Sequence, residues 1–314
     1  MKISRFASVS AVAVSALAVS ALLFADAASD WKTGLLAWRA HREQRLSAPN
    51  GWLTLVGLEW LKPGANTVGS AADNRIRLSA AAPAHLGVIE VRESDIRLVP
   101  PSGGFVAGVQ LDGRPAQAAK LADDEAQKPS EITTGTLTIL LLHRGDRYAL
   151  RIKDSQAATR LNFRGLHWYQ PNPHYRVEAK WIPFVPVKKI KVLSIIGVTD
   201  EMPAPGVAEF TLEGKTFQLV PVLEEPDAKQ LFFIMRDTTS RASSSGPATS
   251  YGAARFLYTD FPDHGLQQPG HLTLDFNRLQ NPPCAYTAYA TCPLPPEQNR
   301  LAIALPVGEA KYSH

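Results

Sequence analysis

Hydrophobic and polar residues follow two different periods along this chain. After Ser29-Asp30, either of which can cap a helix, Trp31, Leu35 and Trp38 recur at helical spacing as far as Leu46, which predicts one amphipathic helix. Beyond the Asn50-Gly51 turn, polar and apolar residues alternate in short runs, which predicts strands. The predicted strands are 87–92, 94–99, 137–142, 147–153, 189–196, 207–212, 217–222, 231–235, 272–276 and 301–305.

Short strands separated by Gly and Pro, with little helical periodicity, favour antiparallel β-sandwiches or barrels over a parallel sheet. We therefore predict a mainly β fold with one N-terminal helix. A single core rarely grows beyond this chain length, so two β domains are expected. The first, 28–165, would hold the helix and a sandwich, and the second would cover 166–314. The boundary is placed near 162–173, where Pro171-Asn172-Pro173 interrupts the pattern.

The first 27 residues are typical of an export signal. Lys2 and Arg5 precede a small and apolar run from Phe6 to Phe24, and Ala25-Asp26-Ala27 fits a signal peptidase site. A membrane anchor is the alternative, because such a run is just long enough to span a bilayer. No later apolar run has that length. We expect a periplasmic or secreted protein with no membrane span after cleavage.

Composition narrows the possible partners. The chain has 314 residues, 45% hydrophobic and 20% charged, with a formal net charge of +4. It is apolar enough to bury a core, and the small, dispersed excess of basic residues argues against nucleic acid as a partner. The sequence indicates no oligomeric state.

A proline-rich segment, 281–296, contains both cysteines, Cys284 and Cys292. Proline fixes φ and prevents regular strand pairing, so the segment is predicted to form a rigid loop that walls a site. In an oxidising compartment the cysteines are first interpreted as a structural disulfide. Two thiolates alone are too few for a metal site, and a catalytic thiol would need a neighbouring base, which the segment lacks. No metal or cofactor is expected.

Several strings resemble one bacterial family. They are 281–301 with Asp275-Phe276-Asn277, 249–257, Gly51-Trp52-Leu53, 57–64, 147–154 and Gly308-Glu309. Together they closely resemble the domain-of-unknown-function 1684 family over nearly the whole chain after the leader. Because that family has no established function, the resemblance implies no reaction.

A second resemblance lies in the first half. The run 64–70, followed by 74–78 and 85–90, is similar to the opening strands of a forkhead-associated sandwich. That fold reads phosphothreonine through an Arg after the glycine and a Ser before the His, whereas Ser70 and Pro83 stand nearest to those positions here. The resemblance therefore implies the sandwich and not phosphopeptide binding.

Polar residues at strand ends and in the proline-rich loop are the site candidates, since scaffolded loops are where sites occur. The candidates are Asp237, Tyr251, Arg255, Asp275, Asn277, Asn281, Asn299, Arg300 and Glu309. In one hypothesis, Tyr251, Asn277, Asn281, Asn299 and Arg300 help to bind a small polar ligand, such as a saccharide or envelope fragment.

The alternative hypothesis is a metal-free hydrolase. In it, Asp237 or Asp275 is the general base, Arg255 holds an anionic or carbonyl oxygen, and Glu309 is the second carboxyl group. A purely structural role is also open: Arg255 would pair with one aspartate to fasten two strands, and Asn281 and Asn299 would bond to irregular backbone.

Overall fold

The computed structural model describes residues 29–242 and 246–313. The predicted leader, 1–27, lies outside the described residues. Helix α1 covers 29–46 and buries Leu35, Arg39, Arg42 and Leu46. These positions are three or four residues apart, so they share one face of the helix. The predicted helix is therefore confirmed, with two arginines on its buried face.

Two sheets pack face to face in the first half. Their strands are β1 (Leu55–Trp60), β2 (Gly64–Gly69), β3 (Ile76–Arg77), β4 (Gly87–Arg92), β5 (Asp95–Val99), β6 (Gln110–Leu111), β7 (Arg114–Pro115), β8 (Ala119–Lys120), β9 (Glu131–Thr134), β10 (Leu137–Arg144) and β11 (Arg147–Asp154). The orders are β1-β11-β10-β9-β6-β7 and β3-β2-β4-β5-β8. Ile89 and Leu98 of one sheet share a core with Ile139 and Leu150 of the other, which makes this half a sandwich.

The second half contains a four-stranded sheet and a two-stranded sheet. Its elements are α2 (Ala158–Leu161), β12 (Arg176–Leu193), β13 (Thr199–Leu212), β14 (Lys215–Leu219), β15 (Leu231–Met235), β16 (Arg255–Thr259) and β17 (Gly270–Asp275). The sheet orders are β14-β13-β12-β17 and β15-β16. Trp181, Phe210, Phe233 and Phe276 lie in the core between them.

The chain is mainly β with several antiparallel sheets and one long N-terminal helix, as predicted. A tight turn at Arg144-Gly145-Asp146 joins β10 to β11, which pair with Leu142 opposite Ala149. The short β2–β3 pairing is parallel. The division of the chain near 162–173 stays a prediction.

One predicted strand is wrong. Residues 301–305 are irregular, and this segment makes single backbone bonds to the chain around Asp237: Leu301 donates to Arg236 O at 2.8 Å and Thr238 donates to Ile303 O at 3.0 Å. The segment alternates in hydrophobicity because it covers a core, and it forms no ladder with a neighbouring strand.

The residues that the structure describes include six single-turn 3-10 helices: Trp52–Thr54, Pro173–Tyr175, Thr238–Ser240, Phe276–Arg278, Pro283–Ala285 and Glu297–Asn299. Within the part of the chain that the structure describes, no helix is long and apolar enough to cross a bilayer.

Candidate functional site

Asp237 and Arg255 form an ion pair that is shielded from water. Asp237 lies just after β15, Arg255 begins β16, and Arg255 Nη1 donates to Asp237 Oδ2 at 2.8 Å. Both side chains are completely buried. The strand register places Arg255 opposite Met235, two residues before Asp237, so the pair joins the ends of two neighbouring strands.

The remaining bonds of this pair go to the protein itself. Arg255 also donates to the carbonyl oxygens of Leu305 at 2.9 Å and of Val307. The second carboxylate oxygen of Asp237 accepts the Thr239 hydroxyl at 2.6 Å and the Leu305 N–H at 3.2 Å. The pair thus fastens the segment 305–309 to β15 and β16. A catalytic role for Asp237 and Arg255 stays a prediction.

Asp275 and Asn277 lie together at the end of β17. Asp275 accepts the Trp31 indole N–H at 2.8 Å and the side-chain amide of Asn277 at 3.0 Å. Asn277 in turn exchanges two hydrogen bonds with the backbone of Asn172. The two residues therefore join β17 to α1 and to the segment before β12. Neither forms a hydrogen bond or ion pair with Asp237 or Arg255 among the described residues.

The other predicted ligand-binding residues are dispersed. Asn299 is buried and bonds to the backbone of Val220 and Ile234, whereas Arg300 is exposed. The Tyr251 hydroxyl donates to the Cys284 carbonyl oxygen at 3.1 Å, and burial raises the pKa of Tyr251. Ligand binding by these three residues stays a prediction.

Glu309 and Asn281 belong to a polar cluster beneath α1. The Asn281 N–H donates to Glu309 Oε2 at 3.1 Å, and Arg42 Nε lies 3.6 Å from the same oxygen. Glu309 is fully buried, and its Oε1 has no hydrogen-bond partner among the described residues. Burial raises the pKa of Glu309 to about 7, although Arg42 and Asn281 oppose the shift.

A glycine allows Glu309 to reach this position. Gly308 has φ of 78°, in the left-handed region, and a side chain there would place Cβ 2.6 Å from the Leu279 carbonyl oxygen. The close approach lets Glu309 N–H donate to Leu279 O at 2.7 Å. Another residue at 308 would displace the segment that carries Glu309.

The segment 281–296 contains a disulfide and walls a cavity. Cys284 and Cys292 are bridged, with Cα atoms 6.3 Å apart. Asn281, Pro283, Cys292 and Pro293 line a cavity of about 390 Å³. The segment therefore forms part of a cavity wall, while its rigidity and its role in a functional site stay predictions. Of the nine predicted polar site residues, Asn281 lines this cavity.

Removing the disulfide tests how far it stabilises this wall. We expect the double variant C284S/C292S to lose about 2–3 kcal/mol of unfolding free energy, since the bridge closes a short loop in the unfolded chain. Denaturant unfolding measures the loss, and thiol titration of the denatured, unreduced wild type should find no free thiol. Two free thiols, or a variant as stable as the wild type, would contradict this expectation.

A second cavity of about 760 Å³ adjoins the first. Arg42, Trp52, Tyr258 and Gln280 line both cavities. The two neighbouring cavities are here together called the cationic recess. It lies where α1, β11, β16 and the segment 281–296 meet. Each cavity falls within the size range of small-molecule sites.

Positive charge dominates the recess. Arg45, Lys153 and Arg278 also line the larger cavity, where no acidic side chain of the described chain takes part. Arg144 and Arg151 line the smaller one together with Asp200 and Glu224. Arg144 is already held by Asp124 through bonds of 2.9 and 2.6 Å.

Arg151 is the unusual member of this group. It is 9% exposed, and within the described part of the chain its side chain makes no hydrogen bond or ion pair. Its guanidinium lies 5.3 Å from the centre of the Trp52 ring. Burial, aided by Arg144, lowers the pKa of Arg151 to about 10, so it remains charged at neutral pH. Unpaired buried charges are rare because they are costly.

Aromatic and apolar side chains form the other wall. Tyr258 stacks on Phe232 with ring centres 4.7 Å apart, and Phe256 packs edge-on against the same ring at 4.8 Å. Burial raises the pKa of Tyr258, whose hydroxyl donates to Glu224 at 3.4 Å. Gln280 adds an amide oxygen, Oε1, that has no partner among the described residues. The recess thus offers cations, an unpaired acceptor and an apolar surface side by side.

Sequence reasoning missed Arg42, Arg151, Trp52, Tyr258 and Gln280 as site residues. For Arg42 a signal existed, because it shares the spacing of the buried positions Leu35 and Leu46 on α1. Arg151 alternates with Leu150 and Ile152, which is the pattern of a solvent-facing residue. It is buried because the second half of the chain covers that face of β11.

The described residues contain no group of three or more His, Cys, Asp or Glu that could hold a metal ion. The fold and the recess place the chain in a class of mainly β proteins with a cationic cavity of small-molecule size. Residues 161–310 match the family described as "Protein of unknown function (DUF1684)", and the chain belongs to this family.

Solved structures add distant likenesses. An uncharacterized protein of Haloarcula marismortui, determined by solution NMR, is 31% identical, covers 48% of this chain and 78% of its own, and has a TM-score of 0.39. The FHA domain of FhaA, and an FHA domain studied for phosphothreonine-dependent interactions, are 17% and 18% identical. They cover 31% and 32% of this chain and 97% and 96% of their own, each with a TM-score of 0.21. No curated protein matches.

Proposed function

We propose that the protein binds a small molecule that carries an anionic group beside an apolar or ring-shaped part. The supporting observation is Arg151, a buried cation that lines the cationic recess and whose side chain makes no hydrogen bond or ion pair among the described residues. A carboxylate, phosphate or sulfate would supply the missing acceptors, since guanidinium groups match such anions geometrically.

The apolar and aromatic side chains of the recess indicate the chemistry of the part of the ligand that carries no charge. Trp52 and Tyr258 are half-buried aromatic side chains that line both cavities. Such side chains suit a sugar ring or an acyl or aromatic group. An acidic saccharide or an anionic envelope fragment has both features. This proposal keeps the predicted ligand class but moves its site to the recess between the two halves. Of the predicted ligand-binding residues Tyr251, Asn277, Asn281, Asn299 and Arg300, the recess includes Asn281.

Binding without turnover has more support than hydrolysis. Both carboxylate oxygens of Asp237 and both terminal nitrogens of Arg255 are engaged by the protein, whereas Arg255 Nε has no partner among the described residues. Neither residue lines the recess. A general base must reach a substrate proton directly or through one water molecule. The hydrolase alternative therefore rests on the residue types alone.

The compartment is part of the same proposal. A disulfide in the wall of the recess is consistent with an oxidising compartment. Together with the predicted leader it supports a periplasmic or secreted protein. The ligand would then be a molecule of the cell envelope or of the surroundings.

The variant R151M tests the proposal, because methionine keeps most of the apolar stem and removes the charge. Affinity for an anionic ligand is expected to fall about 10–100-fold, the contribution of charged hydrogen bonds. The free energy of unfolding should not fall, since the variant loses a buried charge that has no acidic partner. Calorimetric titration with glucuronate against glucose, and with phenyl phosphate against phenol, measures the binding.

R147M is the matched control. Arg147 lies on the same strand and over an indole, 4.1 Å from the Trp60 ring centre, but it is exposed and outside the recess. The R147M variant should bind the anionic probes with the same affinity as the wild type. Equal binding of the charged and neutral members of each pair, or equal losses in R147M and R151M, would refute the proposed site.

A further inference from the structure

The hairpin of β12 and β13 carries a large bulge. Pro183 lies opposite Gly206, and the next paired residues are Lys188 and Ala204. The four residues 184–187 therefore face only Pro205 on the other strand. Because four residues of β12 lie opposite one residue of β13, they cannot all pair in the ladder. This part of β12 therefore bulges out of the sheet.

The bulge exposes apolar side chains that a folded protein usually buries. Val185 is 78% exposed and Val187 is 50% exposed. The same strand continues this surface, because Leu193 and Ile195 are 47% and 44% exposed. Ile190, Val192 and Ser194 alternate with them and point inward. Residues 184–195 thus present an outer apolar face, here called the hairpin face.

Lysines interrupt the hairpin face. Lys188, Lys189 and Lys191 are exposed. Within the described chain, none of their side chains forms an ion pair or a hydrogen bond. Lys188 lies over the ring of Phe184, with Nζ 4.1 Å from the ring centre. Glu201 is opposite Lys191 in the register but is not paired with it. The face therefore combines apolar groups with a local positive charge.

We propose that the hairpin face binds the surface of an anionic lipid bilayer. Exposed valines on a protruding bulge would enter the boundary between headgroups and acyl chains, while the lysines would contact anionic headgroups. A second copy of this chain fits less well. A stable dimer buries about 800 Å² on each partner, whereas this face exposes four large apolar side chains and its three lysines would meet like charge on a second copy.

The inner side of the same hairpin faces the proposed ligand site, which connects the two proposals. Val192, Ser194 and Met202 line the smaller cavity of the cationic recess. A bilayer on the outer face would therefore lie one strand away from the proposed ligand site. The two proposals remain separate, because the hairpin face would bind vesicles whether or not the recess takes a ligand.

Vesicle sedimentation tests the proposal on the full chain. Adding phosphatidylglycerol to phosphatidylcholine vesicles is expected to raise the bound fraction, and V185S/V187S should weaken binding at least about tenfold. K189Q/K191Q should remove most of the dependence on phosphatidylglycerol, at about fivefold for each lysine. All variants carry the same N-terminus, so differences between them report on the hairpin.

L161S is the matched control, because Leu161 is 53% exposed on α2, away from the hairpin. It should bind vesicles as the wild type does. The proposal is overturned if V185S/V187S binds like L161S, or if phosphatidylglycerol has no effect on the wild type. Light scattering that finds a wild-type dimer, dissociated by V185S/V187S, would instead assign the face to a second copy. Circular dichroism confirms that each variant is folded.

Discussion

Replacing Arg255 with methionine is expected to lower the free energy of unfolding by about 3–5 kcal/mol. Asp237 would keep its charge at a position that is 2% exposed, and no other cation is bonded to it among the described residues. The carbonyl oxygens of Leu305 and Val307 would lose their donor at the same time. Unpaired buried groups of this kind produce the largest losses seen for single substitutions.

Denaturant unfolding measures this effect, with R300M as the control because Arg300 is exposed. The double variant D237N/R255M should regain part of the loss, since it removes the charge that R255M leaves unpaired. If R255M unfolds at the wild-type midpoint and loses only ligand binding, then Arg255 is a ligand-binding residue and does not stabilise the fold.

Stability is expected to fall as the pH rises from about 4.5 to about 7, with Glu309 as the cause. The pKa of Glu309 is raised from its ordinary 4.5 to about 7 by burial. Between these values the folded protein holds a proton that the unfolded chain releases, so each step up in pH favours unfolding. The stabilisation is complete below the unfolded pKa and is lost as the pH passes the folded one. Its size is up to about 3 kcal/mol.

The variant E309Q removes this dependence, because glutamine stays neutral at every pH. Relative to the wild type it should be more stable at pH 8 and similar near pH 4. Urea unfolding over this range measures both, with E297Q, at an exposed position, retaining the wild-type profile. A wild type whose stability rises across the window would mean that Arg42 keeps Glu309 ionised.

The local pattern was sufficient to predict most of the strands. The turn at Gly145 and the alternation on either side determine β10 and β11, since both signals lie within a few residues. The irregular segment 301–305 shows the limit of this reasoning. Its alternation arises from packing against one core, and no local signal distinguishes that from pairing with a neighbouring strand.

The recess could not be predicted in the same way. Arg42 donates to Asn281 O, 239 positions away along the chain, and Arg144 donates to Thr291, 147 positions away. Such contacts arise only when the two halves meet. A rigid wall at 281–296 followed from the chemistry of proline, but which cations face that wall depends on the face of β11 that the second half covers.

The bonds of Arg255 have a consequence for biosynthesis. Its carbonyl partners Leu305 and Val307 lie 50 and 52 positions later in the chain. A chain that ends before residue 305 would still contain the Asp237–Arg255 ion pair, but Arg255 would lack its two carbonyl acceptors and the core around β15 and β16 would be incomplete. Such an intermediate exposes apolar surface and is prone to aggregate. We expect the second half to become protease-resistant only after residues 305–309 have been translated.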